Sequence, residues 1–142
     1  MQETIMSKLS YSGMLKYDSY GDRLRYLRLY GKHYISPRAV SNSFYKSRVW
    51  LTRREEIMVR DLGLDLGAKW EYIDGPITVH HINPITAEDI EENNPCLLDP
   101  ENLITTSDLT HKTIHYVNLD TTLADRSPND TKLWFIRGGR NK

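Results

Sequence analysis

Four of the five histidines of this 142-residue chain lie in one stretch, at a spacing suited to metal chemistry. His111 and His115 are four residues apart in a segment with the apolar periodicity of a short helix, so both imidazoles can reach a single ion. His80 and His81 are adjacent in Ile77–Ile82, whose alternating β-branched residues predict a strand. Successive strand side chains point to opposite faces. One of the pair is therefore expected to bind the ion, and the other is free for different work.

A histidine beside a metal site but outside its coordination sphere is suited to act as a general base. Its unperturbed pKa of about 6.5 allows it to accept a proton at neutral pH. The pattern therefore contains both a candidate cation site and a candidate proton acceptor.

The elements that must position these histidines follow the order strand, loop, strand, helix between residues 77 and 118. Leu103–Thr106 predicts the second strand, and Ser107 or Asp108 can cap the helix, because their side-chain oxygens accept hydrogen bonds from first-turn amides. This order resembles the ββα-metal core of the HNH endonucleases. The segments Val79-His-His-Ile-Asn-Pro-Ile-Thr and Leu98-Asp-Pro-Glu-Asn-Leu-Ile are similar to those of small HNH proteins of tailed phages and prophages, a likeness that covers roughly residues 20–137.

The resemblance implies a role for each residue of the motif. His80, His111 and His115 carry the metal, and His81 is the general base. Asn102 ties the loop between the strands and holds His81 in register, since an amide has both donors and an acceptor with which to bridge two backbone segments. For Asn102 the alternative is an ordinary turn residue after Asp99-Pro.

The implied reaction is hydrolysis of phosphodiester bonds in double-stranded DNA, leaving 5′-phosphate and 3′-hydroxyl ends. A phosphodiester resists attack because its oxygens are anionic and its leaving alkoxide is poor; a cation stabilises the developing charge while a base generates hydroxide. Such phage proteins are commonly encoded beside the DNA-packaging terminase, which makes terminase a candidate partner. The activity expected is that of an endonuclease or nickase.

The cofactor expected is one divalent ion: Mn²⁺, Ni²⁺, Co²⁺, Zn²⁺ or Mg²⁺. His80 stands where many HNH enzymes have Asp, so the protein ligands are all nitrogen. Imidazole suits the first four ions, whereas Mg²⁺ prefers oxygen. We expect Zn²⁺ to bind most tightly and Mn²⁺, Ni²⁺ or Co²⁺ to support faster cleavage, with Mg²⁺ required at higher concentration.

Other interpretations of these residues remain open. A purely structural metal site favours four closed ligands, frequently cysteines, but the chain has one cysteine, Cys96, which excludes an internal disulfide and paired CxxC zinc knuckles. A non-catalytic packaging accessory would keep the metal core only for folding and DNA contact. His33, which stands alone in Gly31-Lys-His-Tyr, is interpreted as an ordinary core or surface histidine.

The predicted fold is one α+β domain, in which two short antiparallel strands and a helix form the HNH core, braced by N-terminal helices. Without cysteine-bound zinc, we expect the brace to be a helix from about Asn42 to Asp61, capped by Asn42 or Ser41 and stopped by Gly63. A second helix is predicted from Arg23 to Tyr30. The predicted regions are a flexible N-terminal arm (1–20), a helical bracing and DNA-contact region (21–69), the HNH core (70–118) and a C-terminal extension (119–142).

The charges sum to zero but are unevenly distributed. From Arg23 to Arg60 there are ten Lys or Arg against two acidic residues. Between Lys69 and Lys112 there is no Lys or Arg. The basic half is expected to offer a phosphate-binding face, although each arginine could equally belong to a solvated helix face. The candidate DNA contacts are Arg48, Arg53, Arg54 and Arg60, with Arg137, Arg140 and Lys142 as a basic tail.

The acidic run Glu88–Pro95 is expected in the loop between the core strands. Either it is simply solvated or it is a docking surface for a basic partner such as terminase. The sequence predicts no membrane-length apolar segment and no signal peptide, and its single cysteine is consistent with a reducing compartment. We therefore expect the host cytoplasm as its location and no membrane partner.

Overall fold

A computed structural model describes residues 8–32 and 37–119, which form an α+β fold around a two-stranded antiparallel sheet. The predicted order of strand, strand and helix in residues 77–118 is confirmed. None of the helices in these two ranges is long and apolar enough to cross a membrane. The helices and strands are α1 (Tyr11–Met14), α2 (Tyr20–Leu27), α3 (Arg38–Lys46), α4 (Arg48–Arg60), β1 (Ile77–His81), α5 (Ala87–Glu91), β2 (Leu103–Ser107) and α6 (Asp108–Tyr116), with 3₁₀ turns at Asp65–Gly67, Pro95–Leu97 and Pro100–Asn102.

The sheet has a hydrophobic cluster on each face. The register pairs Val79 with Thr105 and His81 with Leu103. Val79 and Leu103 pack with the α4 residues Trp50 and Ile57, in one cluster. Neighbouring strand positions turn to the other face, where they join the larger cluster, whose buried members are Met14, Leu24, Leu27, Leu29, Leu66, Ile82, Ile104, Ile114 and Leu119. This alternation places α4 and α6 against opposite faces.

Two buried carboxylates close the outer edge of β2. Asp61, at the end of α4, accepts a hydrogen bond from the backbone N–H of Thr105 at 2.9 Å. Asp65 accepts from the backbone N–H of Ser107 at 3.1 Å. Both aspartates are almost fully buried. Because a strand edge otherwise exposes unpaired amides, these carboxylates satisfy donors that no third strand among the described residues covers.

Arg60 links the end of α4 to the core through polar contacts. It forms an ion pair with Asp61, with 2.8 Å between Nε and Oδ1, and donates to the carbonyls of Pro100 and Leu103 at 2.8 and 2.6 Å. Its guanidinium carbon also lies 3.5 Å from the centre of the Tyr11 ring. These contacts brace the sheet without cysteines.

The helix predicted from Asn42 to Asp61 is wrong as a single element, because the chain breaks at Ser47 into α3 and α4. Ser47 is extended, with φ −71° and ψ 151°, and its hydroxyl caps α4 by accepting from the Trp50 N–H at 3.2 Å. The same hydroxyl donates to the Phe44 carbonyl at 2.7 Å. A serine side chain that satisfies the backbone in this way competes with helix continuation. The cap is therefore Ser47 and not Asn42 or Ser41.

The second predicted helix is shifted along the chain. It was expected from Arg23 to Tyr30, but α2 begins at Tyr20 because the Ser19 hydroxyl accepts from the Asp22 N–H at 3.1 Å. It ends after Leu27, where Arg28 leaves the helical region with ψ 140°.

The expected flexible arm is wrong over residues 8–20. Met14 of α1 is fully buried in the larger cluster. The backbone N–H and the hydroxyl of Ser12 donate to the Glu101 carboxylate at 2.9 and 2.7 Å. Four predictions concern residues outside the described ranges: the flexible arm over residues 1–7, the C-terminal extension beyond residue 119, the basic tail, and His33.

The acidic run lies between β1 and β2, as predicted, and its first part is helical. Helix α5 starts after Thr86, which forms a reciprocal capping box with Asp89: the Asp89 N–H donates to the Thr86 hydroxyl at 3.0 Å, and the Thr86 N–H donates to the carboxylate at 2.9 Å. Acidic residues in the first turn favour a helix because they interact with its N-terminal dipole. Glu88 and Glu91 are exposed on it.

Candidate metal centre

Three imidazoles converge on one point between β1 and α6. His80 lies on β1, and His111 and His115 are one turn apart on α6, which begins where the Ser107 hydroxyl accepts from the Thr110 N–H at 3.0 Å. Each histidine offers one nitrogen, and these atoms all lie within 4.8 Å of one another. The Nε2 atoms of His111 and His115 are 3.2 Å apart. The group could hold a metal ion.

The chemistry of the three histidines fits a cation. His80 is 3% exposed, and its Nε2 has no hydrogen-bond partner within the described ranges. A buried polar atom without a partner costs about 1–3 kcal/mol. Burial, followed by the neighbouring His111 and His115, holds the pKa of His80 well below its usual range. Burial also lowers the pKa of His111 to about 4 and lowers that of His115. The imidazoles are therefore neutral at pH 7, which is the form that binds metals.

His81 lies on the opposite face of β1, as the strand geometry requires. Its ring stacks on Trp50, with centroids 5.3 Å apart and an interplanar angle of 23°. Its Nε2 is 2.9 Å from the Leu97 carbonyl oxygen, so Nε2 carries the proton, because a carbonyl can only accept. The unprotonated Nδ1 lies 3.5 Å from the Tyr45 hydroxyl. Burial lowers the pKa of His81, and this effect is opposed by the Leu97 bond and by Asp89.

The three-histidine group and His81 line the same cleft, although they come from opposite faces of β1. Because His81 is the last residue of the strand, its side chain lies at the rim of the sheet. The other polar or aromatic residues that line this cleft include Tyr45, Trp50, Arg54, Asn83, Asp108 and Lys112.

Asn102 bridges the two ends of the loop between the strands. Its Oδ1 accepts from the backbone N–H and from the side-chain amide of Asn83, both at 2.8 Å. Its Nδ2 donates to the Cys96 carbonyl at 3.1 Å and to the Asn83 carbonyl at 3.4 Å. The amide thus connects the segment that follows His81 to the turn that contains Leu97.

The four candidate DNA-contact arginines do not form one face of α4. At about 100° per residue, only Arg53 and Arg60 project in similar directions. The Arg60 guanidinium is occupied by the Asp61 carboxylate and by the Pro100 and Leu103 carbonyls, which makes it unsuitable as a DNA contact. Arg54 donates to the Ile77 carbonyl at 2.9 Å and lines the cleft. Arg53 is 3.5 Å from the Glu56 carboxylate. Arg48 is exposed.

Three groups that contribute to the site are not predicted from the sequence. Tyr45 faces the His81 Nδ1, and nothing in its helical context marks it for this position. The Leu97 carbonyl fixes the His81 tautomer, and a backbone group leaves no trace in the sequence. Asn83 follows the histidine pair in an Asn-Pro dipeptide, a pattern that predicts only the end of a strand. Trp50, on which the His81 ring stacks, is buried.

Comparisons of the chain with protein-family models, with curated proteins and with solved structures found no match. This chain is an α+β protein whose two-stranded sheet is compatible with a small ββα fold and whose three clustered histidines could hold a metal ion.

Proposed function

We propose that this protein is a metal-dependent endonuclease of the HNH type that hydrolyses phosphodiester bonds in double-stranded DNA. The observation that carries the proposal is the presence of two different imidazole environments at one cleft. Three neutral imidazoles are grouped within 4.8 Å, and a fourth is held with an unprotonated nitrogen. Hydrolysis of an anionic ester requires a cation that stabilises negative charge and a base that accepts the proton of water, and a cation site beside a fixed proton acceptor provides both.

His80, His111 and His115 would hold one divalent ion, which when bound stabilises negative charge on the phosphate and on the leaving oxygen. The depressed pKa values of these histidines mean that protons do not compete for the nitrogens at neutral pH. The all-nitrogen ligand set favours Mn²⁺, Ni²⁺, Co²⁺ or Zn²⁺ over Mg²⁺.

His81 would accept the proton of the attacking water at Nδ1. The hydrogen bond from Nε2–H to the Leu97 carbonyl persists in both protonation states, so the ring keeps its orientation as the charge changes. The stack on Trp50 fixes the plane of the ring. The carbonyl also stabilises the imidazolium once it forms, in the way that an acceptor on the far nitrogen supports other catalytic histidines.

Phosphate contacts would come from exposed or cleft-lining cations, of which Arg48, Arg53 and Arg54 are the candidates retained. Their positive charge attracts the DNA backbone irrespective of sequence. A phage or prophage origin and cooperation with terminase are supported by the sequence resemblance, and the exposed acidic side of α5 offers a surface for a basic partner.

Cleavage of supercoiled plasmid in Mn²⁺, with EDTA as the metal-free reference, tests the proposal. The wild-type protein should nick or linearise the plasmid only with metal. His81→Ala should abolish cleavage yet keep metal affinity and the metal-dependent rise in melting temperature, because His81 is not a ligand. His111→Ala should lower metal affinity and the metal-dependent rise in melting temperature. His33→Ala, outside the motif, serves as the matched histidine control.

Two results would contradict this proposal. A protein that binds metal and DNA but never cuts would be the non-catalytic accessory. Wild-type rates in His81→Ala, under the same metal conditions, would remove His81 from the role of base.

A further inference from the structure

Asn83 connects the N-terminal segment of the chain to the loop that orients His81. We infer that Asn83, anchored by the backbone of Leu9, is a positioning residue for His81. The inference deepens the proposed function and rests on it for the meaning of His81, but the contacts that carry it are independent of any bound ion. They form a series of hydrogen bonds from Leu9 to the imidazole, in which the link between the Cys96 and Leu97 carbonyls is the covalent backbone.

The first step of the series is a two-point contact. The Leu9 N–H donates to Asn83 Oδ1 at 3.1 Å, and Asn83 Nδ2 donates to the Leu9 carbonyl at 2.8 Å. The side-chain amide thus satisfies both backbone groups of one residue, as a neighbouring strand would. Leu9 itself packs against the larger hydrophobic cluster. The anchor is therefore held by the core and is not a free terminus.

The second step passes through Asn102. The same Asn83 Nδ2 also donates to Asn102 Oδ1 at 2.8 Å, and Asn102 Nδ2 donates to the Cys96 carbonyl at 3.1 Å. The next carbonyl along the chain, that of Leu97, accepts from His81 Nε2 at 2.9 Å. Asn102 is 5% exposed, so water does not readily replace these bonds.

Removal of the Asn83 amide should affect His81 and spare the metal group. It would leave the Leu9 N–H and carbonyl without their partner and deprive Asn102 Oδ1 of one of its two donors. The turn that carries the Leu97 carbonyl would then lose part of its support, and with it the constraint on the His81 tautomer. The three clustered histidines lie on the other face of β1 and make none of these contacts.

The experiment compares Asn83→Ala and the isosteric Asn83→Asp with Asn42→Ala, an exposed asparagine on α3. The measurements are kcat and KM for DNA cleavage, Mn²⁺ affinity, and the ¹⁵N chemical shifts of the His81 ring, which report its tautomer. Both Asn83 variants should lower kcat by about 10- to 100-fold, the usual effect of losing support for a functional group, with KM and Mn²⁺ affinity unchanged. Asp should behave like Ala because a carboxylate cannot donate.

In the wild type, the ring shifts should report a single Nε2–H tautomer; in the Asn83 variants they should report a mixture.

A retained Nε2–H tautomer with unchanged kcat in Asn83→Ala would overturn the inference. So would a parallel loss of Mn²⁺ affinity, since that would mean general unfolding of the site. If the wild-type protein cleaves no DNA at all, the proposed function fails, and the ring shifts still decide whether Asn83 positions His81.

Discussion

Replacing His80 with leucine should raise the free energy of unfolding of the protein without metal and lower it, relative to the wild type, in the presence of metal. His80 is buried, and its Nε2 has no hydrogen-bond partner in the described part of the chain. Leucine fills a similar volume without a polar atom. The substitution therefore removes an uncompensated buried nitrogen and a metal ligand in one step, and these two effects have opposite signs in the two conditions.

The expected sizes can be worked from the burial. An unpartnered buried polar atom costs about 1–3 kcal/mol, and a volume-conserving replacement in a packed site costs less than about 1.5 kcal/mol. The difference between these ranges runs from a loss of about 0.5 to a gain of about 3 kcal/mol without metal, and their midpoints give a gain of about 1 kcal/mol. For a chain of this size, about 1 kcal/mol shifts the melting temperature by roughly 3–5 °C. At a metal concentration of about 100 times Kd, the wild type gains about 2.7 kcal/mol that the variant lacks.

Thermal unfolding in EDTA and in Mn²⁺ measures both effects. The matched control is His111→Leu, because His111 Nε2 lies 3.2 Å from His115 Nε2 and is not an unpartnered buried atom. This control should lose the metal response without gaining stability in EDTA. The reasoning is refuted if His80→Leu is destabilised in EDTA as much as His111→Leu, or if it keeps the wild-type response to Mn²⁺.

Three further outcomes are expected. The free energy of unfolding in EDTA should fall as pH drops from about 6.5 towards 4. The folded-state pKa of His111 is lowered to about 4, so in this pH range the unfolded chain binds more protons than the folded protein. Denaturant titrations should show a shallower pH dependence in His111→Gln. His80→Asp should shift cleavage towards Mg²⁺ in a metal titration, and no gain would exclude His80 as a ligand. Arg53→Glu should weaken DNA binding and lower its log–log salt slope by about 0.9 per lost contact, whereas Arg60→Glu should chiefly lower the melting temperature; equal slopes in wild type and Arg53→Glu would place Arg53 outside the interface.

The parts of the site that the sequence predicts are those set by local geometry. Helical spacing brings His111 and His115 together, and strand alternation separates His80 from His81; both rules operate within a few residues. The break at Ser47 is harder to foresee, because a single serine is compatible with a helix interior until its hydroxyl finds backbone partners on both sides.

Other parts depend on contacts between distant segments. Asn83 meets Leu9 across 74 positions, and Arg60 meets Leu103 across 43. From its charge alone, Arg60 is as compatible with a solvent-facing phosphate contact as with a buried ion pair. Only the packing of α4 against β2 shows that it contacts the core. Composition indicates that a brace other than cysteine is needed, but it cannot indicate which side chains supply it.

The closed edge of β2 restricts how this protein can associate with another chain. An open strand edge is a template on which a peptide or a second copy can add a strand, and it is also a starting point for cross-β aggregation. On β2 the Asp61 and Asp65 carboxylates occupy the amides that such a strand would use. On β1, Arg54 occupies the Ile77 carbonyl. Strand addition to β2 would first have to displace the two carboxylates, so a partner is expected to dock away from this edge, and β2 is protected from recruitment into fibrils.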